Sequence, residues 1–162
     1  MKKLAIIFAL FVMCLTAQIT FAQSKDRTSF INNAKLLEKK PFDPNAAAAR
    51  EWGFKWLVET DEVSVSLCSE TMKLIPEKKN KFKSELFMQF TFGTAVFKLE
   101  NPDKKTDETA ATVAGLESAL KSYEAMVAEN PKAKSAGMDD LITKRSNGEL
   151  KTLVESANCD KK

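Results

Sequence analysis

Apolar residues recur along most of the chain at spacings of three and four, the period of a helix, and strand-like alternation bounded by hairpin turns is scarce. Phe30, Ile31, Ala34 and Leu37 share one helical face and predict a first helix from about Arg27 to Lys39. Pro41-Phe42-Asp43-Pro44-Asn45 then reads as a rigid turn, because proline cannot continue the helix and restricts the residue before it. Asn45 is placed to cap a second helix, whose alanines and Trp52, Trp56 and Leu57 carry it to about Glu59. Val63-Ser64-Val65-Ser66-Leu67 alternates like a strand, yet Val65, Cys68, Met72 and Ile75 fall on one helical face behind the acidic Thr60-Asp61-Glu62. Helix is the expectation there, ended by Pro76 and followed by a charged connector from Glu77 to Lys81.

Phe82 to Leu99 is the most apolar stretch outside the N-terminal leader. One stripe runs Phe82, Leu86, Phe90, Gly93, Phe97 and a second Met88, Phe92, Ala95, Val96, Leu99, leaving Lys83, Thr91, Thr94 and Lys98 as a narrow polar arc. A helix this apolar packs on more than one side. Gly93 in its interior costs about 1 kcal/mol relative to alanine, which predicts a neighbouring helix in close approach. After the polar loop Glu100–Lys105, Thr106 or Asp107 caps a long helix to about Asn130, with Val113, Leu116, Leu120, Tyr123 and Val127 inward and Glu117–Lys121 as an outer i,i+4 pair. A short helix from about Ser135 to Ser146 stops at Asn147-Gly148, a left-handed C-cap, and a last one, Glu149 to Ala157, leads to Cys159. The expected fold is all-α: one domain over residues 23–162, about six or seven helices in a bundle or a short stack of antiparallel helix pairs.

The leader has its own pattern. Basic Met1-Lys2-Lys3 precedes an uncharged apolar run, Leu4 to Leu15, and Thr20-Phe21-Ala22 places small residues at the −3 and −1 positions. Signal-peptide cleavage after Ala22 is expected, with an uncleaved anchor helix as the alternative. Val12-Met13 do not supply the small residues a lipoprotein signal would need before Cys14. The longest later charge-free run, Leu86 to Phe97, is too short to span a bilayer. The expected product is periplasmic or secreted, with no membrane span after cleavage.

Composition removes whole classes of chemistry. Of 25 basic residues two, Lys2 and Lys3, lie in the leader, so the rest of the chain sets 23 against 22 acids and gives no electrostatic reason to expect nucleic acid or an anionic membrane. The absence of histidine excludes His-based triads and metal sites. Cys68 and Cys159 remain after the leader; an oxidising compartment favours their pairing, and the alternative is one buried thiol and one frayed C-terminal thiol. The chain contains no Cys-x-x-Cys, Gly-x-Ser-x-Gly, P-loop or Gly-rich dinucleotide turn. Ser118-Ala-Leu-Lys121 matches Ser-x-x-Lys on what reads as an exposed face. Asp61-Glu62, Asp107-Glu108 and Asp139-Asp140 sit near helix starts, where negative charge complements the dipole. The Asn101–Glu108 loop lacks the ligand run of a calcium loop. No catalytic residue, metal ligand or cofactor is expected. Trp52 and Trp56, one turn apart with Arg50 and Glu59 at the ends, read as core packing or as an aromatic platform for a partner helix or glycan.

Ala119, Tyr123, Met126 and Pro131 resemble the second helix of a tetratricopeptide repeat, with Met126 standing where that family has a small residue. Phe92-Gly93 is similar to the apolar-Gly pair of its first helix, although 26 positions separate Gly93 from Ala119 where the family has about twelve. The resemblance implies antiparallel helix pairs and a protein-binding scaffold without catalysis. The functional expectation is an exported, non-enzymatic helical protein that binds another protein. The alternatives are an immunity-type or enzyme-inhibitor protein, and an enzyme using carboxylates alone.

Overall fold

The computed structural model describes residues 25–76 and 80–157. The leader with its cleavage site, connector residues 77–79 and Cys159 lie outside the described residues. Two compact units divide the chain, Met1–Asn32 and Asn33–Lys162. Of the first, residues 25–32 are described and are helical. The second unit opens with α1, helical residues 33–39.

Among the described residues the fold is all-α. After α1 come α2 (Ala46–Glu59), α3 (Ser69–Met72), α4 (Lys83–Glu100), α5 (Glu108–Glu129), α6 (Ala136–Ser146) and α7 (Leu150–Ser156). Single 3-10 turns, Pro102–Lys104 and Pro131–Ala133, follow α4 and α5. No helix among the described residues is long and apolar enough to cross a membrane.

The second unit is built on an antiparallel α4–α5 hairpin. Lys98 near the end of α4 meets Glu108 at the start of α5, and Gln89 meets Ser118. Between these pairs the two backbones come close. A Cβ placed on Gly93 would overlap Ser118 Cβ and lie 3.1 Å from Gly115 Cα, and one on Gly115 would lie 2.6 Å from the Phe90 carbonyl oxygen. The expected close approach at Gly93 is therefore present, with Gly115 as its counterpart. Leu86 and Phe90 of α4 join Leu116, Leu120, Tyr123 and Met126 of α5 in the core, closed at one end by Met138, Leu141, Leu150 and Val154 of α6 and α7. Gly148 takes φ +73°, the left-handed conformation expected after α6. Tyr123 links the last helices to α5: its hydroxyl accepts from Ser135 N (2.9 Å) and donates to Asp139 Oδ1 (2.7 Å).

Four local expectations are corrected. Residues 63–68 are not helical, and α3 starts only at Ser69. A helix would pair the Ser64 carbonyl with the Cys68 amide; instead Lys98 Nζ donates to Ser64 O (2.9 Å) and Cys68 N donates to Thr71 Oγ1 (3.0 Å). Alternating β-branched and serine residues already disfavour helix, and those two side chains complete the diversion. Asn45 occupies the N-cap position of α2 without a side-chain bond; Asp43 Oδ1 accepts from Asn45 N (2.9 Å) and organises the turn one step earlier. The arc of Thr91, Thr94 and Lys98 is buried rather than solvated. Thr91 and Thr94 return their hydroxyls to the carbonyls of Phe87 and Phe90. Glu117 and Lys121 turn outward to other helices, Arg145 (3.9 Å) and Glu38 (3.7 Å), instead of to each other.

Candidate functional site

Helix α2 decides which apolar side chains remain on the surface. Its small residues, Ala46 and Gly53, are the buried ones, so the helix seats itself closely along that line. Trp52 and Trp56, one turn apart, fall together on one flank of that line and are half-buried. Phe54 and Val58, one turn apart, are left facing away at 53% and 69% exposure. Arg50 turns inward, donating from Nη2 to Pro41 O (2.7 Å). Desolvation by burial lowers its guanidinium pKa, with the charge of Glu85 opposing that shift. Glu59 is exposed, its carboxylate 4.0 Å from Lys55. The platform expected from Trp52, Trp56, Arg50 and Glu59 is thus divided, with Arg50 engaged in the turn and the most exposed ring that of Phe54.

Phe54 forms one wall of a groove of about 330 Å³. Phe87 and Met88 on α4 form its floor, and Leu67 and Met72, at either end of the Cys68–Thr71 turn, form the opposite wall. Leu67 and Met72 are about half exposed. The polar residues on the lining are Lys83, Ser84 and Thr91. Two thioethers on the lining add adaptable contact surface, a property of binding sites that accept varied apolar shapes. The wall is anchored from behind. Lys98, buried in the hairpin, holds Ser64 O and, on its other side, Glu108 Oε1 (2.7 Å). Thr71 closes the turn beside it on Cys68.

No known family, curated protein or solved structure matches this chain.

Two further hollows have linings of mixed polar and apolar character. One of about 360 Å³ lies over Lys98, between Asp61, Glu62 and Ser64 on one side and Lys105 and Glu108 on the other. The other, about 270 Å³, opens beside Glu38, Gly93, Ser118 and Lys121. Ser118 lies here and is buried, a correction to the exposed face expected for Ser118-x-x-Lys121. Its Oγ accepts from Gln89 Nε2 (2.8 Å) and donates to Glu38 Oε1 (2.7 Å), while Gln89 also donates to Ala34 O (3.0 Å). Ser122 donates to Leu37 O (3.2 Å) one turn further on. The Ser118 hydroxyl joins α1, α4 and α5 at one point, and its single proton is committed to Glu38.

Asp139 accepts from Tyr123, and Asp107 Oδ1 caps α5 through Ala110 N (2.9 Å). Asp61 and Glu62 border the hollow over Lys98. No group of three or more Cys, Asp or Glu side chains among the described residues is placed to hold a metal ion. The repeat-like residues are core or hairpin positions: Phe92, Ala119, Tyr123 and Met126 are buried, Gly93 lies at the close approach, and Pro131 starts the turn after α5.

Proposed function

We propose that this chain is an exported, non-enzymatic helical protein that acts by binding another protein in the groove between α2 and α4. The exposed apolar walls carry this reading. Phe54, Leu67 and Met72 stand in solvent around a concave floor of Phe87 and Met88, and contiguous apolar surface of this kind marks interaction sites on soluble domains. The α4–α5 hairpin beneath is braced by a glycine contact and a buried polar seam, so the groove is largely formed before a partner arrives. Export supplies the oxidising compartment in which Cys68 pairs with Cys159. Cys68 lies between Leu67 and Met72, so that bond would pin the groove wall.

Site-specific photocrosslinking tests the proposal. A photoreactive phenylalanine analogue at position 54, in cells exporting the chain, is expected to capture a discrete protein adduct that the same group at exposed Lys151 does not. Phe54→Asp, placed elsewhere in competition, should fail to suppress that adduct while the wild-type chain suppresses it. Identical labelling from positions 54 and 151 would refute the groove as the binding surface.

A further inference from the structure

Asn147-Gly148, the only Asn-Gly pair in the chain, joins α6 to α7. An asparagine in this setting can lose its side-chain amide to attack by its own main chain, because glycine has no side chain to shield the attacking nitrogen. Both residues are exposed, so water reaches them.

The fold nevertheless occupies the reacting atoms. Gly148 N donates to Arg145 O (3.0 Å) and Glu149 N donates to Lys144 O (2.8 Å), the two bonds of a Schellman cap on α6. The proton that Gly148 N would have to give up is thus held on Arg145 O. Asn147 stands at ψ −4°. Closing a five-membered ring through its Cγ brings Cβ, rather than its main-chain nitrogen, into line with Gly148 N, and that requires a large turn in ψ. The side-chain amide is held too, donating from Nδ2 to Glu149 Oε1 (3.2 Å). Beyond the cap, α7 packs on α5 and reaches the core through Leu150 and Val154.

We propose that Asn147 is a site of spontaneous deamidation gated by opening of the α6 cap, and that conversion releases α7 from the core. With the cap open, Gly148 N yields its proton to solvent hydroxide and bonds to Asn147 Cγ. The Cγ–Nδ2 bond breaks, and the departing nitrogen takes a proton from water and leaves as ammonia. A water molecule then opens the cyclic imide at one or other carbonyl, giving aspartate or isoaspartate, so that one water is consumed, one ammonia is released and nothing is oxidised. Isoaspartate routes the main chain through Cβ, which lengthens it by one atom and moves Gly148 N out of register with Arg145 O. Either product also sets a carboxylate at the negative end of α6.

Peptide mapping by mass spectrometry of the purified full chain tests this. At about pH 8 and 37 °C the folded chain is expected to gain about 1 Da at Asn147 at least tenfold more slowly than the same chain unfolded in guanidinium. The slowing should match, within about threefold, the protection of the Gly148 amide against solvent exchange, since one opening exposes that nitrogen to both reactions. Leu153→Ala, which trims a half-buried contact of α7 and leaves Asn147-Gly148 intact, should raise both rates together, with a thermal melt confirming that it folds. The isolated isoaspartate form should lose amide protection across Leu150–Ser156 at least tenfold while α4 and α5 keep theirs. Equal rates in the folded and unfolded chains overturn the gate, and absence of conversion at Asn147 overturns the site. Undiminished protection of α7 in the converted protein overturns its release.

Discussion

A double-mutant cycle at Gly93 and Ser118 tests the physical basis of the α4–α5 hairpin. Alanine in place of an exposed helical glycine stabilises by about 1 kcal/mol through backbone entropy and propensity. Here the added Cβ would overlap Ser118 Cβ and sit 3.1 Å from Gly115 Cα. Neither atom is the far end of a flexible side chain, so relief requires one helix to move. Overpacking of that kind costs about 1–3 kcal/mol, and the absence of any yielding atom places Gly93→Ala at the upper end. The net expectation is a loss of about 2 kcal/mol. Ser118→Gly removes the opposing Cβ together with the bonds to Gln89 and Glu38, and by itself costs about 2–4 kcal/mol. In the double variant the added methyl occupies the space Ser118 has left. Urea unfolding followed at 222 nm should show the double variant more stable than additivity predicts by about 1–2 kcal/mol, against the 0.3–0.5 kcal/mol scatter of independent sites. A stabilising Gly93→Ala, or strict additivity, would refute the close packing.

Lys98→Met should leave global stability within about 1 kcal/mol of wild type, since a methionine fills the buried site and the half-exposed Glu108 returns to water; protease cleavage within residues 63–67 should nevertheless rise severalfold, and unchanged cleavage would deny Lys98 its role as tether. Burial raises the Tyr123 phenol pKa above its ordinary value near 10, with Asp139 adding to the shift and the Ser135 amide opposing it. The folded state thus holds that proton more tightly: its stabilisation is complete below the unfolded pKa and is lost as pH rises through the folded one. Tyr123→Phe should therefore cost about 1–2 kcal/mol at pH 7 through the abandoned Ser135 amide, and the gap to wild type should narrow above pH ~10; a gap constant from pH 7 to 11 would contradict this. Pairing of Cys68 with Cys159 predicts a mass increase of about 2 Da on reduction and a stability loss of up to about 4–5 kcal/mol for so long a loop, whereas two alkylatable thiols in the exported protein would end the proposal.

Element positions were legible because they rest on local signals. Pro41, Pro102, Asp107 and Asn147-Gly148 mark boundaries by backbone chemistry that acts within a few residues, and Gly93 announced its close neighbour by being a poor residue for a buried helix. Two of the misreadings share a cause, which is a long-range partner overriding local pattern. Val65, Cys68, Met72 and Ile75 do share a helical period, but Lys98, 34 residues away, takes the Ser64 carbonyl that the helix would need. Ser118 looked exposed until Glu38, 80 residues earlier, came to meet it. The groove was half legible. Tryptophan drew attention to Trp52 and Trp56 by its usual weight in interfaces, although Ala46 and Gly53, seven apart, already marked the seated face of α2 and so left Phe54 and Val58 outside. Leu67 and Met72 could not be placed without knowing that α3 is a single turn.

The groove follows from the burial problem that α4 poses. A helix apolar on nearly every side needs cover all round, and the chain covers it in sectors. Helix α5 takes the Gly93 side, α1 takes Gln89 through Ala34 O, and the extended segment 61–67 is drawn across its far end by Lys98. Among the described residues, the sector of Phe87, Met88 and Thr91 receives Phe54 from α2 and the short Leu67–Met72 turn, and these bridge it without closing it. A monomer under selection for stability alone has inexpensive remedies, such as a longer α3 or a polar residue at position 54 or 88. Instead, among the described residues, the least covered sector of the most apolar helix is left open to solvent. Incomplete cover of this kind is what the proposed protein partner would complete, its apolar surface taking the place of the helix that the chain does not supply.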